Sequence, residues 1–165
     1  MKKLILLLLF IPLVSFGQSS YKVEKITDID YNDNVVFPGK KDFLDIYLPK
    51  GEGNYPVIVY FHGGALIAGS KEMGKDIGEK LAKNGIGFVS ANYRLSPTAK
   101  YPDHLNDAQT ATDWTFNNIE PLGGDLKNIY VCGHSAGAYL AAVLALNKDL
   151  KLSLIHISEP TRHDQ

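Results

Sequence analysis

The chain has 165 residues, of which 45% are hydrophobic and 21% charged. These are the proportions of an ordinary globular protein, and the length suits one domain. The formal net charge of −1 gives no basic face, so we expect no nucleic-acid partner. The single cysteine, Cys132, excludes an intrachain disulfide and a thiolate zinc site, and its apolar neighbours predict a buried, inert thiol.

The first 17 residues have the pattern of a secretory signal peptide. Two lysines precede an apolar run over residues 4–14, which is too short to span a membrane. Small residues stand three positions and one position before Gln18, as signal peptidase requires. We therefore expect residues 1–17 to be removed and the rest to be exported to the bacterial periplasm or beyond, free of the membrane. An uncleaved membrane anchor is the alternative.

The last residues have a different origin in our interpretation. Residues 152–162 read LSLIHISEPTR, and a transposon adaptor used to prepare DNA sequencing libraries encodes this string without a mismatch. We predict that residues 152–165 are a non-native tail and that residues 18–151 are the N-terminal part of the domain. Sequencing the source locus across the codon for Lys151 tests this. We expect different codons after Lys151, and finding the same string in genomic DNA would contradict the prediction.

Strands and helices alternate between these two segments. The residue patterns predict a half-buried strand at 42–48, buried strands at 57–61 and 129–132, and another strand at 88–92. They predict helices at 77–83, 101–118 and 136–146. This order indicates an α/β protein with a mainly parallel sheet and helices on both faces. Functional sites in such sheets lie at the carboxyl ends of the strands.

The loop before the last predicted helix has the pattern G-x-S-x-G, from Gly133 to Gly137. A sharp turn from strand to helix exposes the central serine hydroxyl, and the two glycines leave room for that turn. We predict Ser135 as a nucleophile. The amide of Ala136 at the helix N-terminus is a predicted donor to an oxyanion. A plain glycine-rich turn is the alternative.

A second glycine-rich loop, His62-Gly63-Gly64-Ala65, follows the predicted strand 57–61. Acyl transfer needs at least two donors aimed at the carbonyl oxygen, and small residues let a substrate come close to the backbone. We predict the amides of Gly64 and Ala65 as the other oxyanion donors, supported by Gly63. We expect His62, which precedes the nucleophile, to hold the loop by a backbone hydrogen bond and not to act as the base. A turn that only needs positive φ is the alternative.

Four segments recur together in a known group of enzymes. In order they read HGGALIAGSKE, VSANYRLSP, YPDHLNDAQTATDW and VCGHSAGAYLAA. The chain thereby resembles the carboxylesterases related to hormone-sensitive lipase, and by pattern the bacterial feruloyl-esterase-like α/β-hydrolases, which also resemble arylformamidases. The resemblance covers residues 42–146.

This resemblance implies the α/β-hydrolase fold, Ser135 as nucleophile, and the glycine loop as oxyanion hole. It implies a buried polar network behind the site, made by residues 92–95 and Asp107. We expect no cofactor and no metal ion. The chain departs from the group at Ala65 and Leu66, where a third glycine, often followed by tryptophan, is usual. An amide remains available at Ala65.

The catalytic acid and histidine of this fold follow the nucleophile in the chain, in that order. Asp149 is too near the nucleophile, and His156 and His163 fall in the predicted tail. His104 and His134 precede the nucleophile or lie inside the turn. We therefore expect the chain as written to lack both groups, to be inactive, and to leave an apolar sheet edge exposed.

Two classes of function remain. The first is a secreted serine hydrolase that cleaves a small-molecule or polysaccharide-linked carboxylic ester through an acyl-enzyme. Its alternatives within the same fold are an amidase of the arylformamidase kind and a peptidase. The second class is a non-catalytic binding protein with a hydrolase fold, since fold alone does not decide function.

Overall fold

A computed structural model describes residues 20–32, 37–51 and 53–146. The strands are β1 (Val23–Asp30), β2 (Phe43–Pro49), β3 (Tyr55–Phe61), β4 (Gly87–Ala91) and β5 (Gly124–Gly133). The helices are α1 (Lys75–Lys83), α2 (Asp103–Asn118) and α3 (Ala136–Leu146), with short 3-10 turns at Lys71–Gly74 and Glu120–Leu122. The predicted signal peptide and the predicted tail lie outside the described residues.

The five strands form one mixed sheet in the order β1-β2-β4-β3-β5. Strands β4, β3 and β5 are parallel, with β3 between the other two. Strand β2 runs antiparallel to β4, and β1 runs antiparallel to β2. The predicted α/β class is confirmed, whereas the antiparallel strand β1 was not predicted. Ile26 and Ile29 of β1 pack against the larger hydrophobic cluster and Val23 packs against the smaller one, and this three-residue spacing does not give the alternation that marks a strand.

Helices cover both faces of the sheet, as predicted. Helices α2 and α3 pack on the face that carries the larger hydrophobic cluster, which includes Val57, Phe61 and Leu140. On the opposite face Ala82 of α1 packs against Phe88 and its neighbours. The predicted inner face of α2 is buried throughout; it consists of Leu105, Ala108, Ala111, Thr112 and Thr115. In the described part of the chain, no helix is long and apolar enough to cross a membrane.

Strand β2 is more deeply buried than its sequence indicated. From Leu44 to Pro49 every residue is buried, whereas we expected one solvent-facing side. Leu44 and Ile46 face the larger cluster, and Tyr47 faces the smaller cluster under α1. Asp45 is only 2% exposed, and an ion pair with Lys71 compensates for the burial of its charge. The prediction of a half-buried strand was therefore wrong, since each face of β2 packs against a hydrophobic cluster.

Strand β5 is less buried than its sequence indicated. We predicted residues 129–132 as a buried strand with an inert thiol, but Cys132 is exposed and Tyr130 is 56% exposed. Within the described residues β5 pairs with β3 alone, so it is an edge strand. Its apolar residues match those of a central strand, but their burial depends on neighbours and not on composition. Both predictions of burial were wrong for this part of the chain.

Buried tyrosines predict loss of stability at alkaline pH. Burial raises the pKa of Tyr47, Tyr55 and Tyr93 from 10.0 to about 12. An unfolded tyrosine ionises near pH 10, so the stabilisation is complete below about pH 10 and is lost as pH rises toward about 12. We expect the free energy of unfolding, measured by urea titration of the full-length protein, to fall across this window.

The matched variant for that measurement is Tyr47→Phe. The Tyr47 hydroxyl is buried without a hydrogen-bond partner among the described residues, so its removal deletes no hydrogen bond. We expect this variant to lose less stability than the parent between about pH 10 and about pH 12. An equal loss in parent and variant would show that Tyr47 does not contribute to the pH dependence.

Candidate active site

The two glycine-rich loops leave neighbouring parallel strands side by side. Phe61 at the end of β3 is in register with Gly133 at the end of β5, so both loops begin at one edge of the sheet. The His134 amide donates to the Phe61 carbonyl at 3.1 Å. A Cβ placed on Gly63 would lie 2.6 Å from His134 Nδ1 and 3.3 Å from Ser135 Cβ. Gly63, at the start of the loop predicted as the oxyanion hole, therefore packs beside the serine turn with no room for a side chain between them.

Ser135 occupies a strained backbone conformation at the tip of the turn. Its φ is +52°, which is unfavourable for any residue with a Cβ and is typically retained at functional sites. The residue is exposed, and α3 begins at the next residue. The Tyr139 amide donates to the Ser135 carbonyl at 3.1 Å, which ties this conformation to the helix. The turn thus presents a hydroxyl to solvent at a helix N-terminus, where negative charge is favoured.

The two glycines that flank the serine are packed against backbone. A Cβ on Gly133 would lie 2.3 Å from the Gly137 carbonyl carbon, and one on Gly137 would lie 2.0 Å from the Phe61 carbonyl oxygen. Neither position has room for a side chain. Because these contacts join β3, β5 and α3, the G-x-S-x-G spacing fixes how the helix sits on the sheet.

Gly137→Ala is expected to reverse the usual effect of this substitution in a helix. Helix propensity alone favours alanine over glycine by ~1 kcal/mol. The added methyl group would overlap the Phe61 carbonyl, and overpacking against backbone costs ~1–3 kcal/mol or more. Because the overlap is with backbone, we expect a cost at or above the upper end of this range, and so a net loss of stability of ~2 kcal/mol or more in urea unfolding of the full-length protein. The control is Ala138→Gly at an exposed position of the same helix, with a loss of ~1 kcal/mol. A more stable Gly137→Ala variant would contradict the packing.

The glycine loop curls so that its first amides are free. The amides of Ile67 and Ala68 donate to the Gly64 carbonyl at 3.0 Å each. Gly64, Ala65 and Leu66 all have positive φ, of 120°, 53° and 63°. Within the described residues the amides of Gly64, Ala65 and Ala136 donate to no acceptor. Three unpaired amides are thus available in the two loops, and their roles as oxyanion donors stay a prediction.

The turn accommodates Ala65 and Leu66 at the positions where a third glycine and a tryptophan are usual. Ala65 and Leu66 adopt the left-handed conformation that glycine would adopt more easily. The Leu66 carbonyl accepts a hydrogen bond from the Ser96 amide at 2.8 Å, and the Leu66 side chain packs against the larger core cluster. These two contacts hold the loop although no large aromatic residue stands at position 66.

His62 is a buried support for the glycine loop. It is fully buried, its Nδ1 donates to the Gly63 carbonyl at 2.7 Å, and its ring stacks on Tyr93 at 4.3 Å between centroids. The Tyr93 hydroxyl donates to the His62 carbonyl at 2.8 Å. Burial lowers the pKa of His62, so the ring is neutral at neutral pH. The contact to the loop backbone is the one that we predicted.

The polar network implied by the resemblance is present behind the loop. Asp107 accepts hydrogen bonds from the Arg94 amide at 2.8 Å and from the Arg94 guanidinium at 2.7–3.0 Å. The Asn92 side chain bonds the backbone of Lys71 and Lys40. Asn92, Tyr93 and Asp107 are buried. The network fixes the segment after β4 against α2 and the glycine loop.

In the described part of the chain, no acid or base is in place at the serine. Within residues 20–32, 37–51 and 53–146, no histidine or carboxylate is hydrogen-bonded to the Ser135 hydroxyl. His134 is exposed within the turn. His104 is buried in α2, with Nε2 at 3.3 Å from the Ser96 hydroxyl.

Sequence reasoning also missed the buried cluster around Lys71, because its partners come from strands distant in the chain.

The sheet, the strained serine turn between β5 and α3, and the glycine loop after β3 have the architecture of the α/β-hydrolase fold, the class of the carboxylesterases. Within that class the chain belongs to the BD-FAE family, whose model matches residues 44–161. The match ends inside residues 152–165, for which a non-native origin stays a prediction.

Characterised relatives share the same region. The chain is 39% identical over 109 residues to isoprenylcysteine alpha-carbonyl methylesterase ICME of Arabidopsis thaliana, covering 66% of this chain and 26% of the relative. It is 38% identical over 102 residues to carboxylesterase NlhH of Mycobacterium tuberculosis, covering 59% and 31%. The esterase structure of Pyrobaculum calidifontis superposes with a TM-score of 0.61 at 36% identity, covering 78% and 40%. The chain thus spans less than half the length of each.

Proposed function

We propose that the complete protein is a carboxylic ester hydrolase that acts through an acyl-enzyme on Ser135. The observation that carries this proposal is the exposed serine with φ of +52°, in contact with a loop whose amides are free. A nucleophile that must project from a sharp strand-to-helix turn accounts for both the strain at the serine and the unpaired amides in the two loops. The esterase names of the relatives support the same reaction class.

The proposed reaction uses the geometry of the two loops. Ser135 Oγ attacks the ester carbonyl, and the resulting oxyanion accepts hydrogen bonds from the amides of Gly64, Ala65 and Ala136. Collapse of the tetrahedral intermediate breaks the bond to the alcohol oxygen and leaves an acyl-serine. The serine proton passes through a base to the departing alcohol, and water then releases the acid by the reverse sequence.

We propose that the base and its acid partner come from a part of the complete protein outside this chain. A serine without a base is a weak nucleophile at neutral pH. The chain as written is accordingly proposed to be inactive. We further propose export through the signal peptide and a small-molecule or polysaccharide-linked ester as substrate. N-terminal sequencing of the exported product tests the cleavage before Gln18.

A fluorophosphonate probe tests the nucleophile directly. Full-length protein is labelled, digested and mapped by mass spectrometry. We expect the label on Ser135, no label in Ser135→Ala, and unchanged labelling in the control Ser20→Ala, whose serine is exposed. Label that persists in Ser135→Ala would overturn the proposal.

Turnover of p-nitrophenyl acetate and of the matched anilide separates an esterase from an amidase. We expect hydrolysis of the ester to predominate. Faster hydrolysis of the anilide would favour the amidase alternative. Absence of both labelling and turnover would favour the binding protein.

A further inference from the structure

A buried lysine stands where the glycine loop returns to the sheet. Lys71 opens the 3-10 turn Lys71–Gly74 and is only 4% exposed. Its Nζ lies 2.7 Å from Asp45 Oδ1 and 3.0 Å from Asp28 Oδ1. Lysine is almost never fully buried unless paired, since loss of hydration must be compensated. Here two carboxylates from different strands, β1 and β2, supply most of the compensation, and the exposed Glu72 carboxylate lies 3.4 Å from Nζ.

The charges in this cluster are well matched. Hydrogen bonds from Lys40 and Lys71 lower the pKa of Asp28 to about 2. Burial alone would lower the pKa of Lys71, but hydrogen bonds to Asp45 and Asp28 outweigh it and raise the pKa above the usual range. Asp28 is 44% exposed, whereas Asp45 is 2% exposed. Solvent weakens the first ion pair, so Asp45 is the partner that holds Lys71.

The backbone of Lys71 is fixed as firmly as its side chain. Its amide donates to Asn92 Oδ1 at 2.6 Å, and its carbonyl accepts from the Ser90 hydroxyl at 2.7 Å. Ser90 belongs to β4, and Asn92 follows directly after that strand. Together with Asp45 on β2, these bonds attach the end of the loop to two adjacent strands.

The loop transmits that position to the serine through close backbone contacts. Gly69, two residues before Lys71, has a φ of +98°, and a Cβ there would lie 2.5 Å from the Gly63 carbonyl oxygen. Gly63 in turn lies against His134 and Ser135. A shift at Lys71 therefore moves Gly69, and through it the segment that carries the free amides.

We propose that Lys71 is a positioning residue for the glycine loop, and that its buried ion pair with Asp45 sets where the amides of Gly64 and Ala65 stand relative to Ser135. The catalytic part of this proposal rests on the proposed function. Lys71 itself touches no reacting atom. It acts through the loop, and its removal displaces the donors without deleting them.

The expected kinetic effect follows from that role. Deleting one oxyanion donor lowers kcat by ~10²–10³-fold. Displacing donors is a smaller change, so Lys71→Met is expected to lower kcat by ~10–100-fold, counted per serine titrated with the fluorophosphonate. KM is expected to stay within ~2-fold, because the oxyanion exists only in the transition state and the intermediate.

A second variant distinguishes a positioning role of Lys71 from a contribution to stability alone. Lys71→Met leaves the Asp45 carboxylate buried without its main partner, which lowers the melting temperature. The double variant Lys71→Met/Asp45→Asn removes that buried charge, and the Asn oxygen still accepts the hydrogen bond that the Asp28 amide gives to Asp45 at 2.9 Å. We expect the melting temperature to recover while kcat stays low. Lys71→Arg, which keeps the charge, is expected to recover part of kcat. The control Lys75→Met changes an exposed lysine and is expected to change nothing.

Hydrogen exchange gives a readout that does not depend on activity. In the full-length protein, Lys71→Met is expected to speed amide exchange in the peptide 62–70 and to leave α2 unchanged. A kcat per titrated serine within ~2-fold of the parent, with unchanged exchange in 62–70, would overturn the proposal. If the parent enzyme is neither labelled nor active, the proposed function fails, and the exchange data still decide whether Lys71 anchors the loop.

Discussion

Ser135→Ala in the full-length protein is expected to lower kcat/KM for p-nitrophenyl acetate by ~10⁴–10⁶-fold. The hydroxyl is the proposed carrier of the acyl group, so its loss removes that covalent route. The residual rate comes from the oxyanion donors and from binding, which still act on direct attack by water. Stopped assays at enzyme concentrations adjusted to the residual rate measure the ratio.

The backbone strain at Ser135 supplies a matched pair of variants. A left-handed conformation costs a residue with a Cβ ~1–2 kcal/mol. Glycine avoids most of this cost, but it loses more conformational entropy on folding, which costs ~0.5–1 kcal/mol relative to alanine. We therefore expect Ser135→Gly to be more stable than Ser135→Ala by ~0.5–1 kcal/mol in urea unfolding, and equally inactive. Turnover within ~10-fold of the parent in either variant would contradict the role of Ser135. An unfolded Ser135→Ala protein would leave Ser135→Gly to decide it.

The best sequence predictions concern segments whose constraints are local. Helix α3 was predicted with its observed bounds, Ala136–Leu146, because a glycine–serine spacing requires the turn before it. The contact of Gly137 with the Phe61 carbonyl gives the reason: no other residue fits between the helix and β3. The inner face of α2 was likewise predicted from helical spacing, and all five of its predicted residues are buried.

The features that were missed depend on contacts between distant segments. Strand β1 contains Asp28 at a positive φ of 58° and a shift in register between Ile26 and Ile29, both of which obscure alternation. Lys71 reads as an ordinary polar residue until Asp45, 26 positions away, is placed beside it. The string Gly-Ser-Lys-Glu at residues 69–72, separated from the glycine loop by three residues, was the only signal, and it identifies no partner for the lysine.

Strand β5 shows a third reason for failure. Its residues Ile129 to Cys132 are apolar, and apolar composition predicts burial only where something covers the strand. In the described residues β5 has β3 on one side and no strand on the other. The exposed large side chains of this region are Tyr130, Tyr139 and Leu146, at 56%, 49% and 80%. The site turn lies directly beside this uncovered edge.

Residues 18–151 expressed alone are therefore expected to form neither a stable monomer nor an active esterase. An edge strand with unpaired amides and carbonyls, flanked by apolar side chains, is a template for association. At ~25 cal/mol per Å² of apolar surface, leaving even ~400 Å² uncovered forfeits about 10 kcal/mol. That is comparable to the entire stability of a typical domain, ~5–15 kcal/mol. Because no acid or base is hydrogen-bonded to Ser135 among the described residues, we also expect the serine of this segment not to be activated.

The measurements for this segment are size-exclusion chromatography, thermal melting and p-nitrophenyl acetate turnover, with the full-length protein run in parallel. We expect aggregates, a broad melt without a cooperative transition, and turnover equal to that of Ser135→Ala in the same segment. A monomer with a cooperative melt would refute the expected instability, because the uncovered edge would then cost far less than the area predicts. Turnover that Ser135→Ala abolishes would refute the expected inactivity. It would show that a base within reach, of which exposed His134 beside the serine is the first candidate, activates the hydroxyl without the acid and base that we propose lie outside this chain.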